Sequence, residues 1–235
     1  MRKYDYSTAI NQLKLDKKTV LNPNIKYDLI PDWVQGKDFL NLFLPYIKII
    51  GDSREQNRWI EKACIYYGLA FEWARKDKKN ETENLKEGDY SYQVIFGDKI
   101  YDYVGVCSYE RKGSVSEFFG NCMNGRQRIK REFMRFNTKH YDKVVLMLQF
   151  GEKLTDLINM EYSYHNQFGE YIKVNTKYTM YSTILSWKQP NNNDFDIIQS
   201  SDKMKLFFMM LQDMYYYFRQ EIRLECLDKK LIEEI

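Results

Sequence analysis

The sequence predicts an α/β protein, a mixed central sheet covered by helices, on three observations. Short apolar runs of strand length alternate with stretches whose apolar residues recur at three- and four-residue spacing. Val144-Val145-Leu146-Met147-Leu148 is a continuous apolar run, short enough for a buried central strand. Asp89 to Phe96 and Lys99 to Tyr109 flank Gly97-Asp98, the composition of a tight hairpin turn.

The elements follow in order. Residues 1–38 are polar, with turn signals at Asn22-Pro23-Asn24 and Ile30-Pro31-Asp32, and read as an irregular arm holding at most one short helix. The regular domain spans 39–235. Tyr46-Ile47-Lys48-Ile49-Ile50 reads as a buried strand ending at Gly51-Asp52. A helix follows with Trp59, Ile60, Ala63, Cys64 and Tyr67 on one face and Gly68 as its stop. Leu69 to Trp73 is a short strand. In the second hairpin arm Tyr101, Tyr103, Gly105, Cys107 and Tyr109 share one face, opposite Ile100, Asp102, Val104, Val106 and Ser108.

One helix is expected from about Val115 to Lys139, opened by Ser114 and Glu117 at capping-box spacing. Residues 150–176 read as a long connection, Thr179 to Trp187 as a helix and Phe195 to Gln199 as a strand. Ser201 can cap a final helix to about Leu231, with Met204, Phe207, Phe208, Leu211, Met214, Tyr215 and Phe218 as its apolar side, core plus a possible dimer surface.

Composition excludes several function classes. The chain has 235 residues, 44% hydrophobic and 29% charged, so it can bury a core and is not a disordered polymer. Its 20 Tyr fit a functional use of aromatics or simply an AT-rich genome. A net charge of +3, from 36 basic and 33 acidic side chains, does not by itself mark a nucleic-acid binder; the local arrangement must carry that point. Cys64, Cys107, Cys122 and Cys226 lie far apart, as reduced thiols of a cytoplasmic protein do. His140 and His165 are the only histidines, which excludes a histidine-rich metal centre and leaves carboxylates for Mg²⁺ or Mn²⁺. The N-terminal residues lack the apolar run of a signal peptide. The most apolar C-terminal stretch, Leu206 to Leu211, is far below the roughly 18 residues a membrane span requires, so a soluble protein is expected.

Asp52, Asp89 and Glu110 fall at expected strand edges, where ligands gather in open sheets. Glu110 and Lys112 are two apart and share one face of a strand, while Arg111 points the other way. Such a carboxylate–ammonium pair suits phosphodiester hydrolysis. Asp89 and Glu110 can hold Mg²⁺ against a phosphate, and Lys112 can orient water or offset charge developing on the phosphorane. Spacing alone favours a surface salt-bridge patch. Farther along, Arg126, Arg128, Lys130, Arg131 and Arg135 are opposed only by Glu132 between 126 and 135. Arg128, Arg131 and Arg135 share a helix face that can track a phosphate backbone, or is a solvated surface. Tyr162 and Tyr164 are candidates for stacking on bases, and His165 reads as an ordinary loop residue.

Asp52-Ser53-Arg54-Glu55, then Leu85-Lys86-Glu87-Gly88-Asp89-Tyr90, Tyr109-Glu110-Arg111-Lys112 and Asn124-Gly125-Arg126 occur in this order. Together they resemble the XPF family of structure-specific nucleases, in its compact phage and bacterial branch, over about residues 46–225. Gly113 to Phe118 and Met180 to Trp187 are also similar to that branch. The resemblance implies a restriction-endonuclease-like core. It implies Asp52, Asp89 and Glu110 as metal-binding acids, Lys112 as the catalytic lysine, Arg111 as the arginine of the motif, and Arg54 and Glu55 as a supporting pair, Arg54 with the helix arginines as a DNA-binding group.

Two positions depart from the pattern. Ser116 stands where many members carry an acid, with Glu117 one place later: an outer-shell group or merely a helix cap. Gln149 also stands where relatives carry an acid. The implied activity is cleavage of branched DNA, flaps or Holliday junctions, in recombination, replication or repair. The resemblance further implies a homodimer and a phage protein acting in the bacterial host cytoplasm. A weakly active or inactive DNA-binding scaffold on the same fold is the alternative, and a partner-binding protein acting through the arm is a third class.

Overall fold

The computed structural model describes residues 24–34, 39–74, 85, 87–96, 99–123, 126–157, 161–165, 168–175 and 195–228. These are α/β, with mixed strand pairing and helices against the sheets. They fall into two compact units. The first draws on residues up to Leu85, on Tyr90–Val104 and on the chain from Phe207; the second on Lys86–Asp89 and Gly105–Leu206.

In the first unit β1 (Ile47–Asp52) pairs in parallel with β2 (Ala70–Ala74) and antiparallel with β3 (Tyr90–Phe96). β4 (Lys99–Asp102) adds to β3 antiparallel, with Val94 opposite Tyr101. The crossover between β1 and β2 is α1 (Trp59–Tyr67), whose predicted face is the buried one. Gly68 in the left-handed conformation ends it.

The long helix that packs here, α4 (Lys203–Asp228), starts one residue later than expected. Asp202, not Ser201, is its cap, because the Asp202 Oδ1 accepts from the backbone N–H groups of Met204 and Lys205 at 2.8 and 3.0 Å. Phe207, Phe208, Leu211, Met214 and Phe218 on this helix are almost fully buried. They join Phe39, Phe43 and Tyr92 in an aromatic core, with Phe43 5.8 Å from Phe218 between ring centroids. Part of the expected arm belongs to this core: Ile25 and Val34 are buried, and Trp33 meets Phe208 edge-on at 6.0 Å.

The second unit is built on three parallel strands in the order β5 (Cys107–Lys112), β6 (Lys143–Leu148) and β9 (Phe195–Gln199). α2 (Val115–Met123) follows β5 and packs against it, and α3 (Arg126–Thr138) packs against α2. Phe118, Phe119 and Cys122 from α2 and Phe136 from α3 form one apolar cluster with Val144, Leu146 and Leu148 of β6 and Phe195 of β9. Removing this surface from water is the main stabilising term.

Four expectations are corrected. The second hairpin arm is not one strand: Tyr103–Val106 bends between β4 and β5, with Gly105 at φ 85°, which breaks the alternation after Tyr103. The expected helix from Val115 is two, α2 and α3. The connection at 150–176 contains a helical turn at Leu154–Leu157 and a hairpin of β7 (Glu161–His165) and β8 (Tyr171–Asn175). Ser201 yields the capping role to Asp202, as above. The expected helix at Thr179 to Trp187 and the hairpin turn at Gly97-Asp98 lie outside the described residues.

Candidate active site

All six residues of β5 are buried, including Glu110, Arg111 and Lys112. Two charged groups on one face of such a strand must satisfy each other. They do: the Lys112 Nζ donates to the Glu110 Oε1 at 2.6 Å, with only 7% and 8% of the two side chains exposed. Burial alone would lower the lysine pKa. Burial is the largest single influence, but the charge and hydrogen bond of Glu110 with the charges of Asp89 and Glu132 together outweigh it, so Lys112 is held above its ordinary value and stays an ammonium at neutral pH.

Asp89 reaches the same place from the turn before β3. Its backbone N–H donates to the Tyr109 carbonyl at 3.0 Å, and its Oδ2 accepts from the Arg111 N–H at 2.7 Å. The turn lies flat on β5: a Cβ at Gly88 would fall 1.9 Å from the Ser108 Oγ, at a φ of +77° that L side chains rarely adopt. The Ser108 hydroxyl donates to the Glu87 carbonyl at 3.2 Å, completing the seam. Asp89 is therefore carried by the backbone of the strand that bears Glu110 and Lys112.

Glu87 joins the site although no motif residue type marks it in the sequence. Its carboxylate is buried and accepts from Arg135 Nε and Lys139 Nζ, each at 2.7 Å. It ties the last turn of α3 to the Asp89 turn. Burial, then the Glu87 charge, raise the pKa of the Tyr141 phenol beside it. The signal was available as Glu87 directly preceding Gly88-Asp89, with Arg135 and Lys139 one helical turn apart.

Arg111 leaves β5 on the opposite face, and its Nη1 donates to the Gln149 Oε1 at 3.3 Å. Glu117 acts as a cap: its backbone N–H donates to the Ser114 Oγ at 3.1 Å, and its Oε2 accepts from the Gly113 N–H at 2.8 Å. Ser116 is exposed. On α3 Lys130 and Arg131 are exposed, the Arg131 Nε donating to the Gln127 carbonyl at 3.2 Å. Arg135 is committed to Glu87, while the side chains of Arg126 and Arg128 lie outside the described ones, as do those of Tyr162, Tyr164 and His165.

Asp52, Arg54 and Glu55 belong to the first unit. Asp52 is buried at the end of β1, and its carboxylate accepts from the Arg54 backbone N–H at 2.8 Å and from the Arg54 guanidinium through Nε and Nη2. Glu55 accepts from the Asn57 N–H at 2.6 Å. These contacts shape the turn after β1.

Among the described residues no group of three or more His, Cys, Asp and Glu side chains is placed to hold a metal ion. Asp89 is hydrogen-bonded to the backbone of the strand that carries Glu110, so two hard oxygen donors belong to one segment of the fold. Mg²⁺ typically takes one or two carboxylates and completes its shell with water and substrate phosphate, and this pair fits that habit. The Cys64, Cys107 and Cys122 thiols are buried and in no disulfide. No helix among the described residues is long and apolar enough to cross a membrane.

No family model matches the chain, and no curated protein does. Among solved structures the chain is similar to XPF from Aeropyrum pernix, at a TM-score of 0.45 and 14% identity, over 77% of this chain and 70% of that one.

Proposed function

We propose that this chain is an Mg²⁺- or Mn²⁺-dependent endodeoxyribonuclease that hydrolyses phosphodiester bonds in branched DNA, flaps or Holliday junctions. The observation that carries the reading is the buried Glu110–Lys112 pair with Asp89 hydrogen-bonded to the same strand. A surface salt-bridge patch, the reading that spacing favoured, would not bury both charges. Buried ion pairs are weak stabilisers against an apolar alternative, so a functional demand explains their presence better than stability does.

Asp89 and Glu110 are the residues that would hold the divalent ion, which supplies Lewis acidity toward phosphate and water. Lys112, held as an ammonium, cannot take a proton from water at neutral pH. It donates to the oxygen on which charge develops as the phosphorane forms. A protonated amine serves either role its position allows, orienting the attacking water or offsetting that charge. Asp52 is the third acid that the motif order supplies, and Asp52→Asn tests its share in metal holding. Arg131 and the flanking cations of α3 supply phosphate contacts.

Branched DNA arises in recombination, replication and repair, and the pathway follows from that substrate. A phage source, action in a bacterial cytoplasm and a homodimer rest on the family resemblance alone. The α4 stripe is filled by its own unit, so pairing would use another face. Size-exclusion chromatography with light scattering that shows only monomer through the micromolar range would count against the dimer.

The test of the function is a panel of flap, fork, four-way junction and linear duplex substrates in Mg²⁺, in Mn²⁺ and in EDTA. The proposal expects metal-dependent nicking with branched substrates preferred. Tight binding with no cleavage in either metal identifies a DNA-binding scaffold on this fold instead.

A further inference from the structure

Asp89 ends a turn that is fixed on one side and hinged on the other. Its backbone N–H and its Oδ2 both bond to β5, at 3.0 and 2.7 Å. The residue before it, Gly88, stands at a φ of +77° and has no side chain to limit its rotation. Such a hinge keeps one shape when the residue on its far side is anchored too. The backbone anchor of Glu87 is the Ser108 hydroxyl at 3.2 Å, long for a bond between oxygens. Its side chain supplies the firmer one. The buried carboxylate accepts from Arg135 Nε on Oε2 and from Lys139 Nζ on Oε1, each at 2.7 Å, so both oxygens are held.

Those two cations stand on a fixed base at the end of α3 and just beyond it. Phe136, next to Arg135, is fully buried in the apolar cluster of this unit and meets Tyr141 edge-on at 5.1 Å. Arg135 and Lys139 are partly exposed and can be hydrated without Glu87, whereas the buried carboxylate depends on them.

We infer that Glu87 is a positioning residue: by clamping the hinged side of the turn to α3, it sets where the Asp89 carboxylate stands and how tightly a divalent ion is held there. This deepens the nuclease reading and rests on its assignment of Asp89. Glu87 holds no ion itself, since cations occupy both its oxygens. A carboxylate that arrives already placed beside β5 spares the ion the cost of ordering the turn. Charge acting through space makes a different prediction at α3. Loss of the negative Glu87 would weaken cation binding on either account, but loss of the positive Arg135 would tighten it through charge and weaken it through position.

The test titrates Mn²⁺ alone into the full chain and reads free Mn²⁺ from its electron paramagnetic resonance signal. Wild type, Glu87→Gln, Arg135→Gln and the double variant are compared, each verified as folded by circular dichroism. Glu87→Gln should weaken Mn²⁺ binding about tenfold, the scale typical of groups that orient metal-holding residues. Arg135→Gln should weaken it about threefold, because Lys139 still holds one oxygen. The double variant should bind within about twofold of Glu87→Gln, since both changes act through one clamp. Wild-type affinity in Glu87→Gln overturns the inference, and so does unchanged or tighter binding by Arg135→Gln. Asp89→Asn distinguishes this failure from that of the nuclease reading. Wild type that binds no Mn²⁺, or Asp89→Asn that binds it as wild type does, sinks the proposed metal site and this inference with it.

Discussion

Lys112 and Glu110 lie within 2.6 Å of each other at almost complete burial, and each makes the other tolerable. Replacing Lys112 with Met leaves the Glu110 carboxylate buried without its ammonium, a change of about 3–5 kcal/mol for a broken buried pair. The pH dependence follows from the raised lysine pKa. The stabilisation is fully present below the unfolded value of 10.5 and is lost as pH rises through the higher folded value. Urea unfolding of wild type and Lys112→Met from about pH 7 to 12 should therefore show their stability difference shrinking only above 10.5. A difference that shrinks between neutral pH and 9 would mean that the lysine is not held as an ammonium. At this scale the sequence was informative: the two-residue spacing put both charges on one face. What it could not convey was burial, which turned a spacing that fits any surface salt bridge into a constrained pair. Nor could it reveal that Gln149 touches Arg111, because that contact depends on the parallel register that sets Lys112 opposite Leu148.

At the scale of elements, α2 and α3 are held by polar contacts at their ends. Glu117 had two readings, outer-shell acid or cap, and its bonds to the Gly113 N–H and from its own N–H to Ser114 assign it to the cap. Glu117→Gln keeps a capping acceptor, so it should cost less than about 1 kcal/mol and leave the Mg²⁺ dependence of cleavage unshifted. A clear rise in the Mg²⁺ needed for half-maximal rate would restore the outer-shell reading. Glu87 fastens α3 to the Asp89 turn through Arg135 and Lys139, whose side chains are 51% and 37% exposed. Solvent screening discounts both pairs, and Glu87→Gln should lower stability by about 1 kcal/mol in urea unfolding. No change would show that the clamp is not formed in solution.

Periodicity made most elements legible: β1, α1, β6 and β9 fall where their apolar patterns put them. It failed at bends. One glycine at positive φ divides β4 from β5, and a helical pattern that runs on through Asn124-Gly125 hid the break between α2 and α3. The β7–β8 hairpin carries alternating Tyr162, Tyr164 and Tyr171, Lys173 around Phe168-Gly169, a signal masked by its polar setting.

For the molecule as a whole, the fold class was legible because alternating strands and helices leave few ways to bury both, and mixed pairing is what the strands adopt. Asp89, Glu110, Arg111 and Lys112 come together in the second unit, through backbone contacts that no side-chain motif encodes, while Asp52, Arg54 and Glu55 form their own turn in the first. The central claim is that Glu110 and Lys112 perform chemistry rather than hold the fold. It is tested most directly by single-turnover cleavage of a labelled branched DNA in Mg²⁺, using Glu110→Ala and Lys112→Ala variants whose folding is verified by circular dichroism. The account predicts that each variant loses at least about a hundredfold in rate while its dissociation constant for the same DNA stays within about threefold of wild type. Folded variants that cleave at the wild-type rate would contradict it.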